Sequence, residues 1–145
     1  MNLIEKDAKF LRDNLDVLFI ALNPPLQSNN NGHYFSGRRS SFFKQLYLSG
    51  LIVENIDKSI ADDLIFGENK YNYKNKEFGV IDLKPLVTET NSNKVKKYVP
   101  DLHNKHIYEA DVIFMLDLNS FRRLKNMACH IEDSSARKVI IDHHV

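Results

Sequence analysis

The chain has a single cysteine, Cys129, and no excess of either charge, with Lys+Arg 20 against Asp+Glu 19. A lone thiol closes no internal disulfide and supplies no cysteine-based zinc site, which points to a cytoplasmic protein. Balanced charge excludes a polycationic sleeve for nucleic acid, so any contact with phosphates has to come from a local patch. Long hydrophobic runs are also missing, since the longest, Val17 to Leu22, is far too short to span a membrane. The amino-terminal stretch mixes acids and bases without an unbroken apolar segment, unlike a signal peptide or anchor. There is no internal repeat, and low complexity is confined to Ser28-Asn29-Asn30-Asn31. What is present is 145 residues at 43% hydrophobic content, enough for one domain with a real core.

Apolar runs mark the framework. Residues Leu3 to Leu11 have loose helical spacing and lead into Val17 to Leu22, a buried-strand run stopped by Asn23-Pro24-Pro25, where prolines remove ladder donors. A long polar loop with Gly32 and Gly37 follows, closing at Ser40-Ser41, either of which suits the cap of a helix carrying Phe42, Phe43, Leu46, Tyr47 and Leu51. A second helix is predicted over 56–66, a turn or hairpin over 69–76, and a strand over 78–83 ending before Pro85. A polar stretch from Thr88 to Lys105 separates these from strand runs at 112–116 and 138–141, with a helix between them over 121–131. Strands alternating with helices predict an α/β three-layer sandwich with a mainly parallel sheet. In such folds ligands bind beyond the carboxyl ends of strands, where Asn23, Asp82, Asp117 and Asp142 fall.

Asn23 therefore stands where an α/β enzyme places a chemical group, although Asn-Pro-Pro also serves simply as a strand stop. The residues after it add weight. Ala21-Leu22-Asn23-Pro24, then Gly32-His33-Tyr34-Phe35, then the aromatic helix from Phe42 to Gly50, resemble the first motif and following helix of the mismatch-specific uracil and thymine DNA glycosylases. These belong to the uracil-DNA glycosylase superfamily. The resemblance runs on, more weakly, through Phe78 to Lys96, covering roughly residues 15–97.

It implies hydrolysis of the N-glycosidic bond of uracil or a mismatched or damaged base, flipped out of single-stranded or mismatched DNA, without a cofactor. An asparagine amide takes no proton at neutral pH, so Asn23 would orient the attacking water and not act as a general base. By the same resemblance Phe35 would stack on the base, with His33 and Asn91 near it. The alternatives are core packing for Phe35 and a loop-fixing role for His33. Arg38, Arg39 and Ser40 form a local positive patch for phosphate, or else solvated surface. Two departures bear on the pocket: Ala21 stands where the family has glycine, and so does Pro25. No segment matches the family's late His/Asn-Pro-Ser type motif, so an incomplete or inactive member is also an expectation.

The last forty residues carry a second resemblance. Asp117 and Asp142-His143-His144, at the ends of presumed parallel strands, are similar to motifs of the DHH phosphoesterases and would suit manganese or a related divalent ion. The earlier and later parts of such an enzyme are missing. The expected organisation is thus a glycosylase-like region over 1–105 and a strand-helix-strand segment over 106–145 completing the same sheet, the chain being a fusion or a fragment. The alternatives to a glycosylase are a fragment of a metal-dependent phosphoesterase acting on short oligonucleotides or cyclic dinucleotides, and a non-catalytic nucleic-acid-binding module. A monomer with no membrane partner is expected.

Overall fold

Runs rich in valine, isoleucine and phenylalanine, buried on both faces, form the centre of one parallel sheet. A computed structural model describes this fold over residues 9–21, 26–82, 104–116 and 128–141. The element order is β1 Val17–Ala21, α1 Leu26–Asn31, α2 Phe42–Leu48, α3 Ala61–Ile65, a short 3-10 turn Tyr73–Asn75, β2 Phe78–Asp82, α4 Asn104–Glu109, β3 Val112–Leu116, α5 Ala128–Asp133 and β4 Arg137–Ile141. Among the described residues the strands are ordered β2-β1-β3-β4, and every pairing is parallel.

Alternation along the strands divides the core in two. Val17, Phe19 and Ala21 of β1, with Phe78 and Val80 of β2 and Leu116 of β3, pack with Phe43 and Leu46 of α2 and Ala61 and Ile65 of α3. Leu18 and Ile20 face the other way, with Ile81, Ile113 and Met115, against Ile107 of α4 and Ile131 of α5. Helices on both faces of a parallel sheet make the three-layer α/β sandwich that the strand–helix alternation predicts. Gly79 is required at its position, because a Cβ there would lie 2.7 Å from the Phe10 carbonyl oxygen and collide with the Leu15 side chain.

The strand order fixes where a ligand can sit. The chain moves from β1 to one neighbour, β2, and then returns past β1 to β3, so the order reverses between β1 and β3. At such a reversal the connections leave in opposite directions and open a crevice at the carboxyl ends of the strands. Ala21 and Leu116 end the two strands there.

Local expectations shift in several places. The loop after β1 contains a helix, α1, where the asparagine-rich sequence suggests only a polar connection. The helix expected over 56–66 is confined to Ala61–Ile65, because the Asp57 carboxylate accepts the Ser59 N–H at 2.8 Å and the Ile60 N–H bonds back to the Asp57 carbonyl, making a turn. Ser41 occupies the N-cap of α2 but makes no side-chain capping hydrogen bond, and α2 ends at Leu48, with Gly50 at a φ of 83°. Residues 9–11 are not helical, and α4 begins inside the stretch read as polar connection. In the 121–131 region the described helix, α5, runs from 128 to 133, and residues 121–127 lie outside the described part. No helix among the described residues is long and apolar enough to cross a membrane.

Candidate functional site

The segment following β1 is shaped by its own polar groups. Gly32 takes a left-handed φ of 75° just after α1, the conformation that ends a helix without a Cβ penalty. The His33 N–H donates to the Ser28 carbonyl at 3.2 Å. The Asn31 amide donates to the Ser36 carbonyl and hydroxyl oxygens, each at 3.2 Å, and the Ser36 hydroxyl donates to the His33 carbonyl at 2.7 Å. Residues 31–36 are thereby a closed, internally bonded turn carrying His33, Tyr34 and Phe35.

This turn is anchored to α3 through Asp62, whose side chain is 0% exposed. One carboxylate oxygen, Oδ1, lies 2.8 Å from His33 Nδ1 and accepts the Asp63 N–H at 2.8 Å. The other, Oδ2, accepts the Tyr34 N–H at 2.8 Å. A buried carboxylate is tolerated when hydrogen-bond partners surround it, and here the Tyr34 and Asp63 N–H groups donate to it while the His33 ring lies against it. The Asp63 carboxylate is 3.7 Å from His33 Nδ1 and 3.2 Å from the Lys9 ammonium.

Tyr34 is buried and meets Phe10 edge-on, while Phe35 stacks on Phe42 with centroids 3.9 Å apart and planes at 22°. Phe42 in turn meets Phe19 edge-on at 5.5 Å, and Phe19 stacks on Phe114 at 5.0 Å. An aromatic wall therefore connects β3 and β1 to the turn. Phe35 is half-buried in this wall and has a φ of 54°, uncommon for an aromatic residue and sustained here by the bonds on either side of it.

The adjoining residues are held by Lys58. Its ammonium donates to the carbonyl oxygens of Gly37 at 2.7 Å, Arg38 at 2.8 Å and Ser40 at 3.3 Å, and the Ser40 N–H closes onto the Gly37 carbonyl at 2.9 Å. Arg38 and Arg39 are exposed on this loop and Ser40 is half-buried. The Ser59 backbone N–H, bonded to Asp57, holds that exposed carboxyl below the usual carboxylate range. Two anchors in one segment, Lys58 and Asp62, thus grip the turn with His33 and Phe35 and the loop with Arg38 and Arg39.

Of the residues singled out from sequence, His33, Phe35, Arg38, Arg39 and Ser40 fall together on these two consecutive loops. Asn23, Asn91, Asp117, Asp142, His143 and His144 lie outside the described residues. Sequence reading missed Asp62 and Lys58. A signal for Asp62 existed, since Asp62, Ile65 and Phe66 are spaced i, i+3, i+4 on one helix face and that face is apolar. Nothing in the sequence marks Lys58, whose partners are main-chain oxygens. Among the described residues two groups have the composition of cation ligands, Asp13-His106-Glu109 and His33-Asp62-Asp63. In the second, hydrogen bonds with His33, Tyr34 and Asp63 already engage Asp62, and Lys9 pairs with Asp63.

The family model described as the uracil DNA glycosylase superfamily matches residues 8–141. The parallel α/β sheet is consistent with that fold. No curated protein matches the chain. Among solved structures, an exopolyphosphatase-related protein from Bacteroides fragilis aligns with a TM-score of 0.46 and 21% identity, over 99% of this chain and 35% of its own. That likeness is too distant to bear on activity.

Proposed function

Because the chain belongs to the uracil DNA glycosylase superfamily, we propose that it hydrolyses the N-glycosidic bond of uracil, or of a mismatched or damaged base, in single-stranded or mismatched DNA. The observation that carries this reading is the superfamily match over 8–141, spanning the anchored loops beyond β1. Water adds its oxygen to the sugar C1′ as the C1′–N bond breaks. The bonding pair leaves with the base, which takes up the proton that water gives up, so the products are free base and an abasic sugar. Asn23, two residues beyond Ala21 on the central strand, orients the water by hydrogen bonds and moves no proton. Phe35 stacks on the flipped base with the ring face opposite Phe42, held in place by the turn. His33 and Asn91 line the base site, and Arg38, Arg39 and Ser40 hold a backbone phosphate.

Release of uracil from a uracil-containing single strand, measured with EDTA present, tests the reaction class. The expected result is release that chelator leaves unchanged. Cleavage of short phosphodiesters that strictly requires manganese would replace this reading with a metal centre built on Asp117, Asp142, His143 and His144. Tight DNA binding with no base release would make the chain a binding module.

The phosphate contacts have a separate test. Replacing Arg38 and Arg39 together with alanine is expected to weaken DNA binding and to flatten its salt dependence by roughly one unit of slope per lost contact. The loop should keep its form, since Lys58 holds it through main-chain oxygens that the double variant retains. A salt slope equal to that of the unaltered protein would show both arginines to be solvated surface.

A further inference from the structure

We infer that Asp62 is a positioning residue for base capture, one that fixes His33 in the Nδ1–H tautomer and so leaves Nε2 as the atom His33 offers to a ligand. This rests on the glycosylase reading of the same site. The argument begins with donors and acceptors. A carboxylate only accepts, and Asp62 already accepts the Asp63 N–H on Oδ1 and the Tyr34 N–H on Oδ2. Its short contact with His33 Nδ1, at 2.8 Å, is satisfied when that nitrogen carries the proton. Asp63, 3.7 Å away on the same side of the ring, favours the same arrangement. Nδ1–H is then committed, and Nε2 has no hydrogen bond to any described residue in a side chain that is 30% exposed. On a neutral ring Nε2 accepts a hydrogen bond, whereas on a protonated ring it donates one.

The same carboxylate reaches Phe35 by a second route. Holding the Tyr34 N–H fixes the His33–Tyr34 peptide, one residue ahead of Phe35, whose φ is 54°. Asp62 therefore holds both a ring nitrogen and the main chain leading to Phe35, from a helix whose Asp63 also faces the His33 ring. A merely structural anchor would need neither the imidazole contact nor a half-exposed partner.

The test pairs a spectroscopic and a kinetic readout on the full chain. In a 15N-labelled sample, long-range 1H–15N correlation at a pH where the ring is neutral is expected to show protonated Nδ1 and unprotonated Nε2 for His33, assigned by loss of the signals in His33→Gln. Asp62→Ala removes the acceptor on both sides, whereas an asparagine could keep its oxygen on the Oδ1 side and leave Nδ1–H in place. We expect Asp62→Ala to lose the Nδ1–H preference, with uracil release reduced roughly tenfold to a hundredfold, the range found when the partner orienting a metal-bound histidine is lost. An Nε2–H ring in the unaltered protein overturns the inference, as does an unchanged spectrum or unchanged release in Asp62→Ala. Should Asp62→Ala fail to fold, the spectrum of the unaltered protein decides. Should the unaltered protein release no base from any DNA, the glycosylase reading falls while the spectrum still decides the role of Asp62.

Discussion

Asn23→Ala is expected to lower the rate of base release by about 10²-fold or more while leaving DNA affinity and thermal stability close to those of the unaltered protein. The size follows from the chemistry. A side chain whose only task is to hold a water in line contributes through orientation, and orientation acts on the barrier, not on ground-state binding. Stability should hold because the substitution leaves the buried residues of β1, Val17 to Ala21, in place. Single-turnover kinetics alongside equilibrium DNA binding separates the two effects. An unfolded variant, or release at the original rate, would reduce Asn-Pro-Pro to a strand stop.

Replacing Phe35 is expected to affect binding instead. Phe35→Leu removes the aromatic face, and capture of an unpaired base should weaken by about 1–3 kcal/mol. Leucine retains much of the volume that packs against Phe42 and Phe43, so melting should change little. Phe35→Ala should lose affinity and stability together, because Phe35 also belongs to the rim of the core. Binding to DNA with and without an unpaired uracil, compared with calorimetric melting, distinguishes these outcomes. Equal affinity of Phe35→Leu and the unaltered protein for an unpaired base would leave Phe35 a packing residue only.

Much of this architecture can be read from local sequence because the apolar runs of a parallel sheet are short, continuous and bounded by breakers. The run at 112–116 coincides with β3, and the runs beginning at Val17 and Phe78 begin where β1 and β2 begin. Helices were less legible. Leu26–Asn31 lacks an apolar repeat and is rich in asparagine, a residue of low helix propensity, so α1 reads as a loop. α3 reads too long because Ile56 and Ile60 extend an apparent periodicity that the Asp57 turn interrupts.

For the candidate site, motif residues such as His33 and Phe35 were visible, but what holds them was not. Asp62 is 29 residues from His33 in sequence and acts through a part-buried hydrogen bond, while Lys58 binds main-chain carbonyls that have no side-chain identity to read. Both contacts are products of tertiary packing. The left-handed φ of Phe35 is equally silent, because the residue type argues against it and only the surrounding bonds impose it.

The central claim is that this chain breaks a glycosidic bond and not a phosphodiester. Mass analysis of a single-stranded oligonucleotide with one uracil, incubated with the purified protein in 18O-labelled water, once with EDTA and once with manganese, tests it directly. The account predicts free uracil and a full-length strand bearing an abasic sugar with one 18O at C1′. Shortened strands with the label on phosphate, and no free uracil, would contradict it.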